Sequence, residues 1–358
     1  MAKSPKYVEI IRWCREQIDG GAYRPGDRFL SEKELGDRFD ISRQTVRHAL
    51  DLLENDGVIR RVRGSGTFIA DGNTAPGRKT MTVGVVSTYL DDYIFPSILQ
   101  GIESVLTQEG YAIHLASTYN KAVNEARALQ AMMDNGVDGL IVEPTKSGLP
   151  SINMELYRQI QLRRIPLVFF NAYYPALTLP YVALDDEQAG LLAARHLIRS
   201  GHKKVAGIFL LDDIQGHLRY SGYTKAIAEA GMDLMEDRNI WYTTEDKPYL
   251  FTRPEYLLSR LGDSTGVFCY NDQLAFQLIA FLRSQGLRVP QDISVIGIDN
   301  SDMASLSEPP LTTIAHPMRE LGVATAELLT KMLGGGLGKT RLFPPELIVR
   351  GSVAVPKE

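Results

Sequence analysis

The chain has 358 residues, 44% hydrophobic and 23% charged, with a formal net charge of −4. That length asks for two or three domain-sized units, and without a run of about 18 apolar residues it reads as a folded protein with no membrane partner. Two cysteines, Cys14 and Cys269, both within apolar patterns, exclude a disulfide framework and suit a reducing compartment.

The opening Met-Ala-Lys-Ser-Pro-Lys leads into an amphipathic pattern rather than a signal peptide, so the expected location is the cytoplasm. Overall acidity weighs against nucleic acid, but the distribution of charge does not. Residues 1–70 hold 13 Lys/Arg and 11 Asp/Glu, a surplus of +2 on an acidic body.

Tyr7, Ile11, Cys14 and Ile18 give one apolar stripe on a helix from about Lys6 to Ile18, closed by Gly20-Gly21. Pro25-Gly26-Asp27 turns the chain. Ser31 and Glu34 form a capping-box pattern for a second helix, which buries Leu35 and Phe39 and ends near Asp40. Ser42 caps a third helix almost at once, and so tight a joint reads as helix-turn-helix. Val46, Ala49, Leu50 and Leu53 face inward on this helix. Arg43, Gln44 and Arg47 lie off that stripe, with Thr45 nearby. Arg suits guanine O6/N7 and Gln suits adenine N6/N7, so these donors match major-groove chemistry. Residues 58–69 then read as a hairpin with a basic strand, Arg60, Arg61 and Arg63, and a tip at Gly64-Ser65-Gly66. A single arginine here could be only a solvated charge. Helix, turn, helix and wing in that order make the set a DNA-binding head.

L-S-E-K-E-L (30–35), S-R-Q-T-V-R (42–47), L-L-E-N-D-G-V-I (52–59) and G-S-G-T-F-I (64–69) closely resemble the GntR-type winged-helix domain over residues 5–70. The resemblance implies operator double-stranded DNA as partner. It places contacts at Arg43, Gln44, Thr45 and Arg47 beside Ser42, at Glu32 and Lys33, and at Arg63, Gly64 and Gly66 in the wing. Lys6 is implied as a phosphate contact.

Residues 71–80 are small, polar and Gly/Pro-bearing, as a linker is. From residue 81 to 358, β-branched runs alternate with amphipathic stretches. Strands are expected at 81–87, 111–116, 138–143, 166–170, 204–210, 266–270 and 293–298. Helices are expected at 97–108, 123–134, 186–199, 217–230, 272–285 and 317–333. Repeated βα units mean parallel sheets covered by helices, here two Rossmann-like lobes with ligand in the cleft beyond the strand ends.

Polar residues at those ends are the candidates: Glu143 with Lys146 behind it, Asn171, Asn271-Asp272 and Asp299-Asn300. Arg219 opens a helix, and Tyr93 and Phe95 follow the first strand. Carboxylates, amides and Arg suit paired hydroxyls, and an aromatic face suits the C–H side of a sugar. Asp185 and Asp186 read as helix caps, and Asp138 as turn chemistry. Asp272 reads as either an orienting group or a contact. Tyr93 and Phe95 stand open between the cleft and packing. Arg219, Asn271 and Asp299 are the leading ligand candidates.

L-D-D-E-Q-A-G-L-L-A-A-R-H-L (184–197), R-Y-S-G-Y (219–223), C-Y-N-D-Q-L-A (269–275), V-I-G-I-D-N (295–300) and P-L-T-T-I-A-H-P (310–317) resemble the LacI/GalR-type, periplasmic-binding-protein-like regulator core over about 81–355. That resemblance implies a homodimer and effector contacts at Asn171, Arg219, Asn271, Asp299 and His316. A GntR-type head on such a core resembles the arabinose repressors of Gram-positive bacteria. T-Y-L-D-D-Y-I-F-P-S-I (88–98), D-G-L-I-V-E-P-T-K-S (138–147) and D-D-I-Q-G (212–216) add to that likeness. It implies L-arabinose as the effector and no cofactor. Another pentose, a hexose or a purine is the alternative effector. An enzyme is not indicated: H-E-x-x-H, G-x-S-x-G and the Walker pattern are all missing, and Gly334–Thr340 follows a helix instead of preceding one.

Overall fold

The computed structural model describes residues 5–24, 26–55, 57–62, 65–70 and 80–357, without the side chains of Asp19 and Asn55. The chain divides into two compact units, Met1–Thr80 with Tyr157–Ile165, and Met81–Leu156 with Pro166–Glu358.

The N-terminal unit carries α1 (Lys6–Asp19), α2 (Glu32–Phe39), α3 (Arg43–Asn55), β1 (Ile59–Val62) and β2 (Gly66–Ile69). The Ser31 hydroxyl accepts from the Glu34 amide at 3.3 Å, and the Glu34 carboxylate accepts from the Ser31 amide at 2.7 Å. This capping box satisfies donors that the first turn of α2 would otherwise leave open. Asp40 ends α2 in the left-handed region at φ 50°, which turns the chain sharply toward α3. Val46, Ala49, Leu50 and Leu53 are fully buried on α3 and close one core with Ile10, Cys14 and Leu35. β1 and β2 pair antiparallel, with Ile59 opposite Ile69 and Val62 opposite Gly66. The result is a winged helix-turn-helix. Of the basic wing strand, Arg61 turns back to α3, where it holds Glu54 at 2.6 Å and Asp51 at 2.5 Å. Its charge is therefore largely spent inside the head.

The second unit begins β3 (Thr82–Ser87), α4 (Phe95–Gln108), β4 (Ala112–Ser117), α5 (Ala122–Asp134), β5 (Gly139–Val142), β6 (Leu167–Phe170) and β7 (Tyr181–Leu184); α6 (Met154–Leu162) follows β5, and its part from Tyr157 on is grouped with the first unit. It continues α7 (Asp186–Arg199), β8 (Val205–Leu210), α8 (Ile214–Glu229), β9 (Asn239–Tyr242), α9 (Pro254–Leu261) and β10 (Gly266–Cys269). Then come α10 (Asp272–Ser284), β11 (Ser294–Asp299), α11 (Asp302–Leu306), β12 (Thr312–Ala315), α12 (Met318–Leu333), β13 (Arg341–Phe343) and β14 (Glu346–Ile348).

These elements build two six-stranded sheets, ordered β13-β7-β6-β5-β3-β4 and β14-β12-β11-β10-β8-β9. Every pairing is parallel except β12 with β14. All seven expected strands form. The short β7, β9, β12, β13 and β14 lie outside the expected strands. The chain crosses between lobes three times, at β7 to α7, β12 to α12 and β13 to β14. Helix α12 returns to the first lobe because Leu321, Ala324 and Leu329 complete its core with Val83, Ile141 and Phe170. Helix α7 lies so close to α8 that a Cβ at Gly190 would strike the carbonyl oxygen of Arg219. This contact sets Arg219 over the start of α7.

Candidate functional site

In each sheet the chain starts at an inner strand and then moves out to both sides, so β3 and β8 stand at topological switch points. Loops there splay apart and leave a crevice at the carboxyl ends of the strands. A cavity of about 690 Å³, its mouth included, occupies that place between the lobes. Thr88 and Tyr89 after β3, Glu143 after β5 and Asn171 after β6 line it from one lobe. Asp213 and Gln215 near β8, Tyr242 on β9, and Tyr270 and Asn271 after β10 line it from the other.

Glu143 accepts from the Thr88 amide at 2.8 Å and from the Thr88 hydroxyl. Asn171 Nδ2 donates to it at 2.7 Å. Burial nevertheless pushes its carboxyl up to about 7, against these bonds. Asn171 sits at φ 62°, a left-handed position that asparagine tolerates. Its Oδ1 accepts from Gln215 Nε2 at 3.2 Å and faces His316 Nε2 at 3.0 Å. The bond from Asn171 Nδ2 to Glu143 fixes the amide orientation, so His316 donates through Nε2. Burial pushes His316 down to about 3 and keeps the ring neutral. Its Nδ1 is a buried acceptor without a hydrogen-bond partner among the described residues. Asp213 accepts from the Tyr270 hydroxyl at 2.9 Å, and burial raises its carboxyl. The walls thus combine carboxyl, amide and phenol groups, which suits a ligand with several hydroxyls and an apolar face.

The sequence candidates distribute unevenly. Tyr93, Phe95, Glu143, Asn171 and Asn271 line the cavity. The Asn271 Oδ1 is already spent, accepting from the Leu274 amide at 2.9 Å as the cap of α10. Arg219, Asp299, His316 and Lys146 are not among the lining residues. Arg219 is 2% exposed and ion-paired to Asp186 at 2.8 Å. It also donates to the Tyr270 carbonyl at 2.6 Å and lies over the Tyr270 ring. Asp186 is therefore the buried partner of Arg219, not a cap; Asp185 alone caps α7, accepting from the Gln188 amide at 3.1 Å. Lys146 forms ion pairs at the cleft edge with Glu245 at 2.6 Å and Asp212 at 3.4 Å. Asp272 orients its neighbours, accepting from the Thr313 hydroxyl at 2.6 Å and the Ser301 amide at 2.9 Å. Asp138 accepts from the Met81 amide at 2.9 Å, where β3 starts. Gln215 and Asp213 are within reach of sequence reading, since both lie in the D-D-I-Q-G run at 212–216. Lys247, also in the wall, had no signal because it lies in a short 3-10 turn.

Asp299 accepts the Tyr93 hydroxyl across the cleft. Burial, only partly offset by Arg219, pushes its carboxyl up to about 8. Between about pH 4 and that value the folded chain keeps a proton that the unfolded chain has released. Stability from this group is therefore full in acid and falls as pH rises through the window. The raised Glu143 acts with the same sign. Below about pH 6.5 the depressed His316 acts with the opposite sign, because there only the unfolded ring takes up a proton. Thermal melts from about pH 6.5 to pH 8.5 should therefore show a falling midpoint, and Asp299→Asn should flatten that fall. An unchanged slope in the variant would mean that Asp299 is ionised in the fold.

On the head, Arg43, Gln44 and Lys33 are exposed, and none has a hydrogen-bond or ion-pair partner among the described residues. Arg47 lies one turn on and forms a two-pronged pair with Glu32, both contacts at 3.2 Å. The pair is exposed and so worth little, free to exchange for another anion. Ser42 accepts from the Thr45 amide at 3.3 Å, and its hydroxyl lies 2.9 Å from that of Thr45. Lys6 Nζ donates to the Asp40 carbonyl at 3.2 Å. Gly66 opens β2 at φ 115°, a conformation that favours glycine. Arg63, Gly64 and linker residues 71–79 lie outside the described residues.

Residues 6–69 match the bacterial regulatory proteins of the gntR family, and residues 194–353 match the periplasmic binding protein-like domain. The arabinose metabolism transcriptional repressor of Geobacillus stearothermophilus is 39% identical, over 97% of each chain. The chain belongs to the arabinose metabolism transcriptional repressors. The repressor of the same name from Halalkalibacterium halodurans is 37% identical, over 98% of this chain and 97% of that one. A LacI family transcriptional regulator from Enterococcus faecium with bound ribose matches with a TM-score of 0.66 and 27% identity, over 77% of this chain and all of that one. The relatives are regulators rather than enzymes. Among the described residues of the repressor no group of three or more His, Cys, Asp or Glu is placed to hold a metal ion. No helix among them is long and apolar enough to cross a membrane.

Proposed function

We propose that this repressor binds operator DNA as a homodimer through residues 1–70 and is released when L-arabinose occupies the cleft within residues 81–358. The observation that carries the sugar reading is the Glu143–Asn171–Gln215 set beyond the ends of β5, β6 and β8, beside Tyr89, Tyr93 and Phe95 in the same cavity wall. Paired hydroxyls need such donors and acceptors, and a sugar ring needs an aromatic face. The names of the full-length relatives support arabinose among sugars. On the head, Arg43 and Gln44 project from the first turn of α3, as major-groove readers do, while Lys6, Lys33 and Arg47 supply charge for phosphates. Two-fold pairing is supported by an open apolar groove along the edge strand β4, lined by Leu99, Ile113 and Leu115. Sugar then releases DNA only if it binds the closed lobes better than the DNA-bound arrangement, by a coupling of about 1–3 kcal/mol.

The test is isothermal titration of the full chain with L-arabinose, D-xylose, D-galactose and D-ribose. A parallel titration uses a duplex that the chain has selected from a random pool. Selective heat with L-arabinose and loss of the duplex on its addition are expected. Heat with a different sugar, followed by release, would replace the effector and keep the mechanism. Release of a reaction product from any sugar would overturn the regulator reading.

A further inference from the structure

One seam of the cleft borders the cavity wall, sharing Asp213 with it, and is built almost wholly from backbone and small groups. The turn after β5, Lys146-Ser147-Gly148, meets the turn between β8 and α8 of the other lobe. Gly148 donates its amide to the Asp212 carbonyl at 3.2 Å. The Ser147 hydroxyl donates to the Asp213 carboxylate at 2.6 Å and accepts from the Ile214 amide at 3.0 Å. The latter bond satisfies the first amide of α8, for which no side chain of its own lobe provides a cap. Lys146 adds its ion pairs to Asp212 and Glu245 on the outside of the seam.

We infer that Lys146-Ser147-Gly148 is a closure clamp, which sets how far the lobes shut and couples effector binding to operator release. The reason is geometric. A Cβ at Gly148 would lie 2.8 Å from the Leu211 carbonyl oxygen and 2.9 Å from the Asp213 nitrogen. Both are backbone atoms of the opposite lobe, so they cannot move aside as a side-chain tip can. Gly148 is not among the glycines at positive φ, so alanine meets no left-handed backbone strain in its own turn. The penalty therefore falls on the closed arrangement alone. Opening the lobes removes the clash, while it also leaves the Ile214 amide to water. The same groups that reward closure thus make a single added methyl oppose it. The coupling to operator release rests on the sugar-release reading above; the clamp itself does not.

The experiment uses the full chain with Val123→Cys and Tyr256→Cys, one exposed site on each lobe, both native cysteines being buried. Spin labels at the two sites report the lobe-to-lobe distance without sugar. Gly148→Ala should lengthen the distance distribution relative to the parent, and Ser147→Ala should do so less. Operator affinity without sugar should be undiminished, which verifies folding. With L-arabinose, Gly148→Ala should weaken binding by about tenfold and retain the operator at sugar concentrations that release the parent. A distance distribution that neither variant shifts overturns the clamp, whether or not any sugar binds. A shifted distribution in a chain whose parent binds no pentose upholds the clamp and overturns the sugar reading alone.

Discussion

Arg219→Ala is expected to destabilise the second unit by about 3–5 kcal/mol, the range for removing one partner of a buried ion pair. Asp186 is 2% exposed, and Arg219 is the partner that holds it. Without the guanidinium, the carboxylate has neither charge compensation nor water. It already stands above the ordinary carboxylate range because burial outweighs the attraction of Arg219. The double variant Arg219→Ala/Asp186→Asn removes the stranded charge and should recover much of the stability. Urea melts monitored by Trp241 separate the three outcomes. If the single variant were no less stable than the double, the pair would be solvated. Sugar binding tests a second role, because the guanidinium holds the Tyr270 carbonyl at 2.6 Å beneath the cavity wall. Undiminished operator release by Arg219→Ala would exclude Arg219 from both contact and support of the ligand.

Arg43→Ala should lower affinity for the selected operator by roughly tenfold to a hundredfold, the cost of one two-pronged base contact at about 1–3 kcal/mol. Preference over an unrelated duplex should narrow as well. The head should fold as before, because Arg43 is exposed and has no partner among the described residues. Arg61→Ala separates a base reader from mere charge. Its guanidinium is held by Glu54 and Asp51, so its loss should act mainly on head stability. Fluorescence anisotropy with labelled duplex, at two salt concentrations, reads both effects. Operator binding by Arg43→Ala equal to the parent would overturn the assignment of α3 as the recognition helix.

The contrast between those two arginines shows where sequence reading succeeds. Each element of the head is legible because its signals are local. Ser31 and Glu34 are three residues apart, and Val46, Ala49, Leu50 and Leu53 repeat at the helical period. Exposure of Arg43 follows from that stripe. The ion pairs of Arg61 do not, since they depend on the hairpin folding back onto α3. In the large unit the βα alternation is visible for the same local reason, and so is the placement of Glu143, Asn171 and Asn271 at strand ends.

The sequence by itself determined the two classes of domain, their order and which strand ends face a cleft, because hydrophobic period and capping act over a few neighbouring residues. Only the tertiary structure decided which polar groups meet. Arg219 and Asp186 are 33 positions apart, Asn171 and His316 are 145, and Tyr93 and Asp299 are 206. No periodicity spans such separations. Whether a buried charge faces ligand or a partner depends on helices brought together by Gly190 and on a chain that crosses between its lobes three times. Burial then shifts Glu143, Asp299 and His316 away from their ordinary protonation, a consequence of packing that residue identity does not carry.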